Sequence, residues 1–313
     1  MITLDRVKLV ADMEHLISFT PSDFMTISDR YGHYYFKYIQ EHPFLLNIIV
    51  NERRNELVIE FTGKILRDDY CKLINLETIH QSLNTINHLG ICELDVDSIV
   101  QSAEVYRCDV TLDVECQYIM EDIKRHLKSS IINYDKWLYR NCENNGIEII
   151  NNATTPKHRK RFIIYDKEKE LKKANNRDFM AWVNDKDIIE KHFKGKVRFE
   201  LNLRTKEQVR RFLDVQDNRL MSVLQSTANP ILSVYDLAIN EDRASSTVIY
   251  GKPDKLALLQ QCGYDLQEVE MRIRATMSKT SSIGRRMEPY RKLLQDIQAS
   301  DRPPMNIRDL IAG

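Results

Sequence analysis

The sequence predicts an α+β fold: an antiparallel sheet with helices on one face and polar side chains on the other. Several short segments alternate apolar and polar residues, which is typical of strands with one buried face. Segments with helical spacing lie between them, and helical patterns dominate after about residue 217. We therefore expect an α+β domain over residues 1–217 and a mainly helical region over residues 218–313.

The predicted strands are short apolar runs bounded by polar turns. They cover residues 2–12, 44–50, 57–61, 105–116, 146–150, 162–167 and 196–203. The predicted helices carry apolar residues three and four positions apart. They cover residues 73–89, 118–128, 168–183, 206–215, 218–224, 254–262, 266–277 and 285–298. The tail from Asp301 contains Pro303 and Pro304 and is expected to be irregular.

The composition fits a water-soluble protein with its own core, since 42% of the 313 residues are apolar. No apolar run reaches the ~18 residues of a membrane span. The first residues lack the order of a signal peptide, so we expect a cytoplasmic protein. None of the six cysteines has Cys-x-x-Cys spacing, which favours free thiols over a zinc site.

Charge is distributed unevenly along the chain. Residues 1–155 hold 15 basic and 24 acidic residues, a net charge of −9. Residues 156–313 hold 31 basic and 22 acidic residues, a net charge of +9. This asymmetry hints at a nucleic-acid partner for the second half.

Carboxylates recur on the polar faces of three predicted strands, where successive side chains point to opposite sides. An ordinary solvated sheet face is one explanation, but aspartate is rare within strands. Carboxylate oxygens are also the ligands that Mg²⁺ and Mn²⁺ prefer. We therefore expect a divalent metal site with these ligands: Asp109, Asp113 and Glu200, with Glu60 near its rim.

Three segments together carry a resemblance to a known family. They are an Arg-x-Asp strand at residues 106–113, an apolar-apolar-Tyr strand running into Glu-Leu at residues 162–171, and an Arg-x-Glu strand at residues 197–201. In this order they resemble the replication initiators of filamentous phages and small rolling-circle plasmids, which are relaxase-like nicking enzymes. The resemblance covers roughly residues 1–215, and residues 4–9 and 58–61 also fit it.

The resemblance implies that residues 1–217 form a nicking and joining domain whose nucleophile is Tyr165. Attack on origin DNA would give a 5′-phosphotyrosine and a free 3′-OH that primes a polymerase. Lys167 shares a strand face with Tyr165 and is expected to supply positive charge, while Arg107 or Arg198 stabilises charge on the phosphate. Related nicking enzymes bind their metal through a His-apolar-His motif; this sequence has none, so carboxylates are expected in its place.

Two basic clusters are predicted to contact DNA phosphates. The first precedes the Tyr165 strand and consists of Lys157, Arg159, Lys160 and Arg161. The second lies in the C-terminal region, resembles either a helix-turn-helix reader or a plain basic hairpin, and includes Arg272, Arg274, Arg285 and Arg286. The expected partners are origin DNA, single-stranded at the nick, with a host helicase and polymerase and no membrane.

Three questions stay open at the level of sequence. A metal-dependent nuclease that activates water is one alternative function, and a non-catalytic origin-binding copy-control protein is another. Closing the replicated circle needs a second transesterification. A second subunit of a homodimer could perform it, or another tyrosine such as Tyr250, Tyr264 or Tyr290.

Overall fold

A computed structural model of the chain shows two compact units. It describes residues 2–132, 136–142, 146–155, 159–241, 253–275, 283–300 and 305–313. The sheet unit comprises Met1–Glu121, Asn133–Ala238 and Arg308–Gly313. The helical unit comprises Asp122–Ile132 and Ile239–Ile307.

The sheet unit is built on ten antiparallel strands in the order β3-β4-β5-β6-β1-β8-β12-β11-β10-β9, and β2 pairs with β7 in a separate small sheet. The strands are β1 Leu4–Asp12, β2 Leu16–Phe19, β3 Phe24–Ser28, β4 Tyr34–Tyr38, β5 Leu45–Asn51, β6 Glu56–Thr62, β7 Cys92–Leu94, β8 Glu104–Glu115, β9 Trp137–Cys142, β10 Gly146–Asn151, β11 Arg161–Asp166 and β12 Lys196–Leu203. The α+β class and the antiparallel sheet are therefore confirmed.

Helices connect the strands and continue to the C-terminus. They are α1 Ile79–His88, α2 Val96–Ser102, α3 Met120–Ser130, α4 Lys167–Leu171, α5 Arg177–Trp182, α6 Lys186–Phe193, α7 Lys206–Leu213, α8 Leu220–Leu224, α9 Pro230–Ala238, α10 Pro253–Gln261, α11 Leu266–Ala275, α12 Ile283–Ser300 and α13 Ile307–Ala312. A ten-residue 3₁₀ segment spans Gly63–Lys72. Within the described residues, no helix is long and apolar enough to cross a membrane.

The central strands bury one face because their apolar residues alternate with polar ones. On β12, Val197, Phe199, Leu201 and Leu203 are all at most 5% exposed, as the alternation predicts. Helix α9 packs on this apolar face of β8 and β12. Because this face is buried in the core, the polar side chains at the intervening positions lie on the opposite face of the sheet.

A second, smaller core covers one end of the polar face. It contains Tyr70 and Leu73 from the 3₁₀ region, Leu171 from α4, Phe179 from α5 and Phe193 from α6. Helices therefore lie on both sides of the sheet, and not on one face as the sequence suggested. The polar face is covered where β11 ends, beside Tyr165.

Two β-bulges interrupt the pairing of β1 with β8. The register shifts between Leu4 and Arg6, where Asp5 is the extra residue, and between Lys8 and Leu9, where Tyr106 is the extra residue. Strict alternation predicted that Tyr106 would lie on the buried face. It is instead 44% exposed, because a bulge changes the direction of the side chains around it.

Two predicted segments near the helices differ from the structure. The expected helix over residues 168–183 is broken into α4, a 3₁₀ turn and α5, since Nδ2 of buried Asn176 donates to the carbonyl of Glu170 and caps α4. The tail from Asp301 was expected to be irregular: residues 301–304 lie outside the described residues, and α13 forms after them. Ile307 and Ile311 are buried there, and Arg308 forms a bidentate ion pair with Asp236.

The sheet unit extends beyond the boundary that was predicted at residue 217. Leu220, Val223 and Leu224 of α8 are fully buried, and α8 packs on β8. The sheet unit therefore includes α8 and α9 and runs to Ala238.

We predict that Gly146→Ala destabilises the sheet unit. Gly146 lies opposite Tyr165, and an added Cβ would come within 2.8 Å of the Tyr165 Cβ and 3.0 Å of the Ile164 carbonyl oxygen. The free energy of unfolding, measured by urea denaturation, should fall by about 1–3 kcal/mol. Gly284→Ala is the matched control, because an added Cβ there meets nothing within 4 Å. Equal stability of Gly146→Ala and wild type would contradict this geometry.

Candidate active site on the polar face of the sheet

Tyr165 lies on β11 near the end of the polar face. It is partly buried and pairs with Arg198 of β12 on one side and with Gly146 of β10 on the other. Its hydroxyl donates a hydrogen bond of 3.2 Å to Oε2 of Glu200. The strand ends one residue later, where Asp166 accepts a hydrogen bond from the amide of Lys169 and begins α4.

Arg198 is the buried charge beside Tyr165. Its side chain is fully buried, and its Nε and Nη2 donate to the two carboxylate oxygens of Asp113 at 2.6 and 2.7 Å. Its Nη1 donates to Oδ1 of Asp5 at 2.9 Å and to the Tyr70 hydroxyl at 3.1 Å. Arg198 was predicted to contact DNA, but its guanidinium donates four hydrogen bonds to these partners and is shielded from solvent.

The Tyr165 hydroxyl is protonated in this environment. Burial raises its pKa well above the ordinary value, and the negative charge of Glu200 raises it further. The positive charge of Arg198 acts in the opposite direction and favours the phenolate. Attack by Tyr165 therefore requires a group that takes up its proton.

Glu200 has the position and the acidity of that group. Its second oxygen, Oε1, accepts a hydrogen bond of 3.0 Å from Asn202. Burial raises its pKa to about 7, with further contributions from the charges of Asp109 and Asp5. A carboxylate with a pKa near neutrality can accept a proton and later return it.

Asp109 is the second residue on this face whose carboxyl pKa is raised. Burial raises its pKa to about 6, and the charge of Asp5 adds to this, while Arg6 and Arg107 oppose it. Burial alone would also raise the pKa of Asp5, but Arg198 and neighbouring lysines bring it below its ordinary value. Two negative groups, Asp5 and Asp109, therefore influence each other electrostatically.

The predicted metal ligands fall into two groups. Asp113 is held by Arg198, and Glu60 accepts from Nε of Arg6 and forms an ion pair with Arg107, each at 2.8 Å. Asp109 and Glu200 instead lie near each other, since the charge of Asp109 raises the pKa of Glu200, and Glu200 accepts the hydrogen bond from Tyr165. The structure thus brings Glu200 into contact with Tyr165, places Asp109 near Glu200, and engages the other two predicted carboxylates with arginine.

The donor chemistry around Asp109 fits a divalent cation. Asp5 accepts from Tyr70 and Arg198 at Oδ1, which leaves Oδ2 as a ligand atom, and the charge of Asp5 acts on Asp109. A cation there would remove the repulsion between the two carboxylates. The spacing is less favourable: across the described chain, ligand atoms of three such residues meet within 4.8 Å at Asp12, Glu14 and His15 alone.

Lys167 begins α4 and lies below the Tyr165 ring. Its ammonium group is 2% exposed, binds Oε2 of Glu170 at 2.6 Å and lies 5.7 Å from the centre of the Tyr165 ring. It was predicted to share the strand face of Tyr165, but the strand ends at Asp166 and the turn carries Lys167 into the small core. Its positive charge therefore interacts with Tyr165 through a cation–π contact with the ring.

The basic residues expected to bind DNA lie in several places on the sheet unit. Arg161 binds Asn202 and Glu148 on the polar face. Lys160 lies 5.7 Å from the Phe212 ring, and burial lowers its pKa. Arg159 is partly buried, whereas Lys157 lies outside the described residues.

The helical unit carries the second basic cluster. Arg272 and Arg274 on α11 form ion pairs with Glu268 and Glu270 one turn earlier, at 2.9 and 2.6 Å. Arg285 is exposed at the start of α12, as is Arg286. The connection over residues 276–282 lies outside the described residues, as does Tyr250.

Sequence reasoning missed three residues that complete the site. Asp5 enters through the β1 bulge, Tyr70 comes from the 3₁₀ segment, and Lys64 donates to Asn176 at 2.7 Å. Burial lowers the pKa of Lys64. Asp5 lies within the segment at residues 4–9 that fits the initiator family, which was the one available signal.

Comparison of the chain with protein families finds no match, and comparison with curated protein sequences finds no significant match.

We predict that Asp113→Asn and Asp109→Asn differ in their effect on stability. Asp113→Asn removes the bidentate partner of a buried guanidinium, which should lower the free energy of unfolding by about 3 kcal/mol. Asp109→Asn should instead raise it by about 1–3 kcal/mol at pH 7, because burial raises the pKa of Asp109 to about 6, and ionisation above that pH destabilises the folded state. Urea denaturation measures both. Equal losses would contradict the division between paired and unpaired carboxylates.

We also predict that Glu200→Gln stabilises the folded protein at high pH without divalent cations. The pKa of Glu200 is raised from 4.5 to about 7, so the folded state holds the proton more strongly than the unfolded state. Its contribution to stability is therefore lost as pH rises from about 4.5 through 7. Glutamine does not ionise and so does not lose this contribution. The free energy of unfolding of Glu200→Gln should therefore exceed that of wild type by about 1–3 kcal/mol at pH 8 but not at pH 4.5.

The matched control is Glu115→Gln, at the exposed end of β8. It should give the same difference from wild type at both pH values. A pH-independent effect of Glu200→Gln would show that the pKa of the Glu200 carboxyl is not raised.

Proposed function

We propose that the sheet unit is the nicking and joining domain of a rolling-circle replication initiator, with Tyr165 as its nucleophile. The observation that supports this most strongly is the hydrogen bond from the Tyr165 hydroxyl to Glu200, beside a buried arginine. A proton acceptor and a fixed positive charge are what a tyrosine needs to attack a phosphodiester. The Arg-x-Asp, Tyr and Arg-x-Glu strands that resemble this family supply these groups from adjacent positions in the sheet.

The reaction exchanges one phosphodiester for another. The Tyr165 oxygen forms a bond to phosphorus while its proton passes to Oε2 of Glu200, and the bond from phosphorus to the 3′-oxygen breaks. The 3′-oxygen takes up a proton and leaves as a 3′-OH. In the reverse direction the 3′-OH loses its proton and attacks phosphorus, and Glu200 returns its proton to the Tyr165 oxygen as that oxygen leaves. The strand is resealed, and neither direction consumes a nucleotide.

Asp109 and Asp5 are the residues that would hold a divalent cation in this proposal. When bound, Mg²⁺ or Mn²⁺ supplies Lewis-acid polarisation of the scissile phosphate. The residues of the chain have separate tasks. Arg198 stabilises the developing phenolate, Asn202 orients Glu200 through Oε1, and Gly146 leaves room for the Tyr165 side chain.

Origin DNA is the proposed substrate, with a host helicase and polymerase acting on the products. The two alternatives from the sequence, a water-activating nuclease and a non-catalytic origin-binding protein, use the same polar face differently. A nuclease would release a free 5′-phosphate, and a binding protein would leave the DNA intact. The products therefore distinguish the three functions.

We predict that wild-type protein forms a covalent adduct with single-stranded DNA through Tyr165. The probe is a 3′-labelled random-sequence oligonucleotide library with Mn²⁺, because the 3′-labelled fragment carries the 5′-phosphate that bonds to tyrosine. A labelled protein band should survive denaturing electrophoresis. Tyr165→Phe should reduce it at least a hundredfold, since it removes the attacking oxygen.

Tyr38→Phe is the control, because Tyr38 is a buried tyrosine on β4 and should not affect the adduct. Trypsin cleaves after Arg161 and Lys167, so mass spectrometry can place the phosphate on a peptide whose single tyrosine is Tyr165. An undiminished band from Tyr165→Phe would overturn the assignment. Cleavage without an attached protein would favour the nuclease.

A further inference from the structure

A partly exposed tyrosine lies on the polar face, away from the covered end. Tyr106 is the extra residue of the second β1–β8 bulge and is 44% exposed. The ammonium group of Lys8 lies 5.1 Å from the centre of its ring. Because Lys8 pairs with Arg107 on the polar face, this contact indicates that the bulge turns Tyr106 towards the same face.

Basic side chains surround this ring. Arg6 and Arg107 share the carboxylate of Glu60, and each is about one-third exposed. Lys8 lies opposite both Arg107 and Glu60 in the sheet. Asp109 lies opposite Arg6 and is influenced by both arginines. The patch therefore holds three cations against two carboxylates, Glu60 and Asp109, next to an accessible aromatic ring.

We propose that Tyr106, Lys8, Arg6 and Arg107 form a binding platform for single-stranded DNA that flanks the nick. Stacking of a base on an aromatic ring, combined with cations that follow the backbone, is how proteins bind single strands without reading their sequence. This proposal rests on the proposed function for its substrate. Duplex DNA fits less well, because its bases are already stacked and cannot reach the ring.

The position of the platform suits a strand that ends at Tyr165. Tyr165 pairs with Arg198, and Arg198 pairs with Asp113, which lies seven residues from Tyr106 along β8. At about 3.3 Å per residue, the two sites are separated by roughly 20 Å along the strand. About six nucleotides at the 3.4 Å spacing of a stacked strand span this distance.

The test measures binding of fluorescein-labelled dT20 by anisotropy, in EDTA and in a Tyr165→Phe background, so that no chemistry can occur. Tyr106→Ala should weaken binding at least fivefold, and Tyr106→Phe should bind within twofold of the parent because the ring is retained. Tyr31→Ala is the matched control. Tyr31 is 67% exposed with Arg30 4.7 Å from its ring, and it lies between β3 and β4.

Affinity for duplex dA20·dT20 should be equal for Tyr106→Ala and its parent, because paired bases do not stack on the ring. The proposal is overturned if Tyr106→Ala binds dT20 as tightly as the parent. An equal loss for Tyr31→Ala, or for the duplex, would overturn it as well.

This result is independent of the adduct assay. An adduct through Tyr165 with normal dT20 binding by Tyr106→Ala would reject the platform and retain the proposed function. Weak dT20 binding by Tyr106→Ala without any adduct would retain the platform and reject the nucleophile.

Discussion

The buried guanidinium of Arg198 joins four parts of the sheet unit. It lies on β12 and contacts Asp113 on β8, Asp5 on β1 and Tyr70 in the 3₁₀ segment. The guanidinium carbon also lies 5.3 Å from the centre of the Phe193 ring in the small core. A buried cation is costly unless each donor is satisfied, and the planar fork of arginine can satisfy several acceptors at once. Any arrangement that separates these strands leaves an unpaired charge.

The need to neutralise buried arginine also gives the acidic residues of the polar face two different roles. Asp113 and Glu60 are neutralised by arginine and hold strands together. Asp109 and Glu200 have raised pKa values because burial and mutual repulsion disfavour their charged forms. Proteins keep such destabilised groups mainly at functional sites, which is why the second pair carries the chemistry in the proposed mechanism. In the Arg-x-Glu strand, Arg198 joins neighbouring strands, and the proposed mechanism uses Glu200 as the proton acceptor.

Alternation along the sequence predicted seven of the twelve strands in the described residues, and β2, β3, β4, β7 and β9 were not predicted. The bounds of β12 agree fully with the prediction, and Glu200 and Asp109 lie on the same sheet face as Tyr165. Alternation cannot identify the ion-pair partner of a residue, because that depends on neighbouring strands and on segments such as Gly63–Lys72. It therefore could not separate Asp113 from Asp109, or show that Lys167 leaves the strand. The bulges were equally hidden, since a register shift is a property of two paired strands.

The two bulges have a common consequence for the site. A shift of one residue sends a side chain to the other face of a sheet, and β1 and β8 each contain one such shift. The first adds Asp5 to the acidic group near Tyr165, and the second exposes Tyr106 beside Lys8. Without them the polar face would keep Glu200 but lose both the partner of Asp109 and the aromatic ring. The irregular pairing of β1 with β8 thus supplies two features that regular alternation cannot: the carboxylate of Asp5 at one end and the exposed ring of Tyr106 at the other.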